Sequence, residues 1–192
     1  MSEITKRLMT GGGARRSSGI VGTLAARLQC EEAVIAAIID AESSGAGFDR
    51  RGRVKVLFEK HRFWSNLDPS KRAAAQRAGL ARKNWISPSQ GGYRDQPDNA
   101  AALAMLVRAI AIDEAAALKS ASYGAAQVLG ENFGIAGWPS VQAFVLDMCE
   151  SEDKQLSAML GFMESRGLQD EMRDKDFEAI ARVYNGPGQV EI

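Results

Sequence analysis

Residues Val34 to Phe48 read VIAAIIDAESSGAGF, and the rest of the chain is organised around them. Val34, Ile35, Ile38 and Ile39 recur at helical spacing, and Glu42 falls on the same stripe, at i+4 from Ile38 and i+3 from Ile39. The helix has to stop at Ser43-Ser44-Gly45-Ala46-Gly47, since glycine and serine favour turns over continued helix. A carboxylate is therefore carried in from the apolar face at a helix C-terminus. Burial disfavours its ionised form, and so does the partial negative charge of the helix end. Both raise its pKa, and a carboxylic acid held protonated near neutral pH is what a general acid needs.

The chain's 192 residues suffice for one domain with a sizeable core, and the composition is that of a globular protein. A formal net charge of zero argues against a nucleic-acid binder, which depends on phosphate neutralisation. The charge is unevenly spread: residues 1–94 carry 17 Lys/Arg against 8 Asp/Glu, and residues 95–192 carry 7 against 16. The reading adopted is that the two halves pack and complement each other; a basic face for an anionic polymer is the alternative. Two cysteines, Cys30 and Cys149, and one histidine, His61, cannot assemble the usual zinc site, so neither metal nor cofactor is expected. A disulfide is open but unforced. No apolar run approaches the roughly 18 residues that span a bilayer, so no membrane insertion is expected. The first residues lack the apolar centre of a secretory signal. Synthesis in the cytoplasm without a signal peptide is expected, with any target outside the membrane reached through another factor.

Residues 1–19 are polar and basic, with Gly11-Gly12-Gly13 and Ser17-Ser18, and are read as a flexible N-terminal tail. Residues 20–192 are read as a single domain. A short helix is expected over Ile20–Leu28, and Glu31 and Glu32 suit the first turn of the helix ending at Glu42. Arg53 to Glu59 (RVKVLFE) begins with polar/apolar alternation and is the one convincing strand, placing a small β-hairpin beside a cleft. Asp68-Pro69 opens a polar helix to about Arg82, and Asn84–Pro97 is a loop. Further helices are expected at Asp98–Ile112, Asp113–Lys119, Ala125–Leu129, Ser140–Cys149, Glu152–Arg166 and Asp176–Tyr184. The fold class is mainly α, with one small β element.

Several stretches stand out: AESSGAGF at Ala41–Phe48, LFEKHRFW at Leu57–Trp64, GGY at Gly91–Tyr93, SASYGAAQVLGENF at Ser120–Phe133, SEDKQL at Ser151–Leu156 and YNGPG at Tyr184–Gly188. In this order they resemble the bacterial and phage N-acetylmuramidase family found in many endolysins, within the lysozyme-like superfamily. The resemblance covers roughly Val21 to Gly188. It implies a lysozyme-like α+β fold and cleavage of the β-1,4 bond between N-acetylmuramic acid and N-acetylglucosamine in peptidoglycan, with Glu42 as the catalytic acid. It implies action at the cell wall (the periplasm), on glycan strands, by a chain expected to be a monomer. Glycoside cleavage usually needs a second carboxylate; Glu59 is the first choice, with Asp49 behind it and an arginine salt bridge as the competing role for Glu59. The match also puts Ser122, Tyr123, Gln127, Tyr184 and Asn185 along the sugar cleft, with His61 beside them. Hydroxyls, amides and tyrosine suit sugar and N-acetyl groups. Trp64, Trp85 and Trp138 are read first as core or loop anchors, with stacking on sugars as the alternative.

Three functions compete. A muramidase leads, as a phage or prophage endolysin or, nearly as well, as an injected antibacterial effector. A lytic transglycosylase needs only one glutamate and gives 1,6-anhydro products. A non-catalytic wall-binding protein would keep the fold and lose the chemistry.

Overall fold

The structure, a computed structural model, describes residues 2–43 and 45–185, apart from the side chains of Tyr184 and Asn185. Among the described residues eleven α-helices surround one three-stranded sheet. The helices are α1 (Glu3–Thr10), α2 (Ile20–Leu28), α3 (Glu32–Glu42), α4 (Lys60–Asn66), α5 (Pro69–Arg77), α6 (Asn99–Ile110), α7 (Glu114–Lys119), α8 (Val141–Glu150), α9 (Glu152–Ser165), α10 (Gln169–Asp174) and α11 (Phe177–Asn185). The expected mainly α fold with a small β element is the one observed. Most helix starts follow from capping chemistry. The side chains of Asp68, Asp98, Asp113, Ser140 and Ser151 each accept a backbone N–H in the first turn of their helix. Ser151 closes α8 and opens α9 in a single residue, so the two helices turn sharply on one another.

The strands are β1 (Val56–Phe58), β2 (Ala121–Tyr123) and β3 (Val128–Leu129), antiparallel in the order β1-β2-β3. The expected strand from Arg53 is shorter, because β1's outer edge meets side chains instead of another strand. Asn99 accepts from Val56 N at 2.9 Å and donates to the Val54 carbonyl at 3.1 Å, while Gln96 pairs with both the N–H and the carbonyl of Phe58 at 2.8 Å. Two amides thus stand in for a ladder and close the edge. The helix expected at Ala125–Leu129 is instead a tight reversal between β2 and β3. Gln127 sits at φ +49°, and its own Nε2 donates to the Gly124 carbonyl at 2.8 Å. A left-handed residue there turns the chain back and breaks any helix.

The flexible tail gives way to a packed element. In α1, Ile4 and Leu8 are buried, and the helix packs against α8 and α6. Burying side chains of this kind contributes about 1.5–3 kcal/mol each. The glycines after α1 allow close approach. A side-chain carbon on Gly13 would lie 2.0 Å from the ring of Phe48, so only glycine lets the segment cross that ring. Beyond it, Ala14 N donates to the Glu150 carbonyl at 2.8 Å and Glu152 N donates to the Ala14 carbonyl at 2.9 Å.

The uneven charge is resolved by packing. Arg15 pairs with Glu152 at 3.0 Å, Arg62 with Glu131 at 3.2 Å and Lys71 with Asp113 at 2.7 Å, each joining the basic half to the acidic half. Cys30 and Cys149 are free thiols, and burial pushes Cys149 up to about 12. Among the described residues no helix is long and apolar enough to cross a membrane.

Candidate active site

The helix α3 buries Val34, Ile35, Ile38 and Ile39, the stripe read from the sequence, and Glu42 ends it as a half-buried residue. The turn that follows is locked from below. Glu152, 9% exposed at the start of α9, accepts Gly47 N at 2.8 Å through one carboxylate oxygen and Arg16 N at 2.9 Å through the other. Gln155, one helical turn further along α9, accepts Ala125 N at 2.9 Å and donates to the Met148 carbonyl at 2.8 Å. A side-chain carbon on Gly47 would lie 1.8 Å from the Gln155 amide oxygen, so glycine lets the turn press onto α9 without displacing the amide that holds Ala125 N. Burial alone would raise Glu152, but hydrogen bonds from Arg16, Gly47 and Arg15 outweigh it and hold the carboxyl below its ordinary value. Ile39, Asp40 and Ser43 of the α3 end, Ala125, Glu152 and the Arg15-Arg16 segment line a cavity of about 290 Å³.

The sheet places the second set of residues. Val56 pairs with Tyr123 and Tyr123 with Val128; this row faces the core. Leu57, Ser122 and Leu129 form the next row and are half-buried on the opposite face. The alternation that buries Phe58 brings Glu59 to that same face, just beyond Leu57. Lys55 N donates to the Gly47 carbonyl at 3.0 Å and Gly124 N to the Lys55 carbonyl at 2.9 Å, so the turn after Glu42 is tied to the start of β1. Glu59 lies four residues further along, about 13 Å of extended chain.

Glu59 is held in a polar cluster. Tyr93 Oη donates to its two oxygens at 3.0 and 2.9 Å, and Trp85 Nε1 donates in turn to Tyr93 Oη at 3.1 Å. Burial raises the pKa of Glu59 above its ordinary value, against the opposing pull of the Tyr93 hydroxyl and the charges of Arg82 and Arg62. His61 Nδ1 lies 3.2 Å from Glu59 Oε2, outside hydrogen-bond geometry. Burial and then Arg62 and Arg82 lower the His61 pKa, which keeps the ring neutral at pH 7.

The residues expected along the cleft divide. Ser122 stands on the half-buried face, and Gln127 is half-buried with its amide nitrogen closing the β2–β3 turn. Tyr123 does not line a cleft. It is 0% exposed, donates to the Leu118 carbonyl at 3.0 Å and packs edge-on against Phe144 with ring centroids 5.8 Å apart. Its inward register opposite Val56 requires this. Asp49 is likewise structural. Burial would raise it, yet hydrogen bonds from Asn99, Arg53 and Arg51 hold it below the usual carboxylate value, where it pins the Asp49–Arg53 turn. Tyr184 and Asn185 end α11; their side chains, and the rest of the YNGPG turn, lie outside the described residues. Residues missed in the sequence are Glu152 and Gln155, which stood in the SEDKQL motif but looked like an ordinary helix start. Trp85 is 57% exposed and no anchor of the core.

A family profile described as N-acetylmuramidase matches residues 31–192. The solved structure titled Burkholderia AP3 phage endolysin is similar over 91% of this chain, with 32% identity and a TM-score of 0.79, and this chain spans 65% of that one. No curated protein matches the sequence.

Proposed function

The chain belongs to the N-acetylmuramidase family, and from that premise we propose that it hydrolyses peptidoglycan at the β-1,4 bond between N-acetylmuramic acid and N-acetylglucosamine, as an endolysin. The observation that carries this reading is the position of Glu42. It ends the buried stripe of α3, and the turn after it is locked by Glu152 and Gln155. A fixed turn holds a proton donor at one orientation, which general acid catalysis requires.

In this reading Glu42 protonates the leaving glycosidic oxygen. Glu59, short of solvent and so more basic than an ordinary carboxylate, completes the reaction from the sheet. It either attacks the anomeric carbon or deprotonates the water that does. Tyr93 keeps it oriented, and neutral His61 beside it adds no competing positive charge. Ser122 and Gln127 offer hydroxyl and amide groups to the sugar.

The test is digestion of purified peptidoglycan by the wild type and by Glu42→Gln, with muropeptides identified by mass spectrometry. The expected loss is at least about a hundredfold, the usual scale for removing a general acid. Equal release by both proteins would refute the assignment. Products ending in 1,6-anhydro sugars in place of reducing ends would turn the reaction into that of a lytic transglycosylase.

A further inference from the structure

Trp85 is the most exposed of the large apolar side chains among the described residues, at 57%, and Ile86 beside it is 36% exposed. Its exposure is not that of a loose loop. The indole N–H is used inward, on Tyr93 Oη, which fixes the ring and leaves its face to solvent. The following loop closes tightly: Gly92 N donates to the Ser87 carbonyl at 2.9 Å, and a side-chain carbon on Gly92 would lie 2.0 Å from the Ile86 carbonyl oxygen. Arg82 stacks beneath, its guanidinium 6.0 Å from the Tyr93 ring centroid. Arg82 Nε and Nη2 are buried without hydrogen-bond partners, so Arg82 holds the Tyr93 ring through its stacked face.

We propose that Trp85 is a carbohydrate platform, on which a pyranose ring of the glycan strand stacks so that the strand is presented to Glu59. This rests on the peptidoglycan reading above. A rigid aromatic face with one polar edge suits a ring that is apolar on its face and hydroxylated around its rim. The exposed pair is far smaller than the roughly 800 Å² a protein partner covers on each side, and a single sugar ring fits it. The relay from Trp85 through Tyr93 to Glu59 links the stacked ring to the carboxylate.

The experiment measures kcat and KM on peptide-free glycan chains for the wild type, Trp85→Ala and Trp85→Phe, with folding checked by circular dichroism. Trp85→Ala is expected to raise KM roughly tenfold, and Trp85→Phe, which keeps an aromatic face but has no N–H, to stay within about threefold of the wild type. An unchanged KM in Trp85→Ala overturns the platform. So does a Phe variant as impaired as Ala, which would make Trp85 a support for Tyr93 only. Binding is read independently through tryptophan fluorescence of Glu42→Gln titrated with the same chains. The emission change is expected to disappear when Trp85→Phe is added. This titration separates the two ideas: a wild type that digests nothing but loses Trp85-dependent fluorescence on adding glycan defeats the hydrolase reading and keeps the platform.

Discussion

Replacing Glu152 should loosen the turn behind Glu42 and lower stability together. Its carboxylate accepts Gly47 N at 2.8 Å, Arg16 N at 2.9 Å and Arg15 Nη1 at 3.0 Å. Arg15 is 59% exposed, so its share is discounted to about 0–1 kcal/mol. Each backbone N–H left without its acceptor costs about 1–3 kcal/mol, which with the Arg15 share puts Glu152→Ala at about 2–7 kcal/mol and Glu152→Gln, which keeps one oxygen, at about half that. At about 2–4 °C per kcal/mol for a chain of this size, the alanine variant should melt roughly 4–28 °C lower. The pH dependence carries the sharper test. The folded state holds Glu152 below its ordinary pKa, so its contribution is fully present above the unfolded value of about 4.3 and is lost as pH falls through the lower folded value. Thermal melts of wild type and Glu152→Gln between pH 7 and pH 3 should therefore converge at the acid end. Peptidoglycan digestion at pH 7, well below either melting point, should fall in the variant although the protein is folded. Equal melting points at pH 7, or a gap that persists unchanged to pH 3, would refute the assignment of Glu152 as the lock on that turn.

Glu59→Gln is expected to abolish digestion and yet raise the melting point at pH 7. Burial lifts Glu59 above its ordinary pKa, so the ionised folded form is disfavoured above the unfolded value, and the neutral amide removes that cost while still accepting from Tyr93. A lower melting point in Glu59→Gln, measured by differential scanning fluorimetry, would contradict this. Leu8→Ala should lower stability by about 2–5 kcal/mol, because Leu8 is 0% exposed in α1; a melting point equal to the wild type's would return residues 1–19 to a loose tail.

The helices opened by Asp68, Asp98, Asp113, Ser140 and Ser151 were legible in the sequence, and so was the end of α3 at Glu42, because periodicity and capping are local signals. It was weakest where distant parts of the chain decide. Gly11-Gly12-Gly13 looked like a flexible run, yet Gly13 is required by the ring of Phe48, thirty-five residues away in sequence. Ala125–Leu129 has helical composition, but β2 and the amide of Gln155 claim its backbone. Tyr123 looked like a cleft residue through its motif, and only the register against Val56 turns it inward. Glu152 was invisible because a glutamate just after a capping serine is ordinary in a first helical turn, and its three partners lie more than a hundred residues away.

The role of Glu59 turns on what its neighbours are not doing. A structural carboxylate beside arginines would be expected to pair with one, and the sequence left that role open. Among the described residues Arg62 pairs instead with Glu131, and Arg82 keeps two buried nitrogens without partners while stacking on Tyr93. Glu59 is left with the tyrosine hydroxyl and a histidine held neutral. Completing an ion pair would lower its pKa further; instead the arginines act on Glu59 through their charge without bonding it. A carboxylate desolvated without a bonded cation is a cost to folding. The proposed role at the sheet end of the site gives such a cost a use, and Glu59→Gln tests both at once, since it should lose digestion while gaining stability.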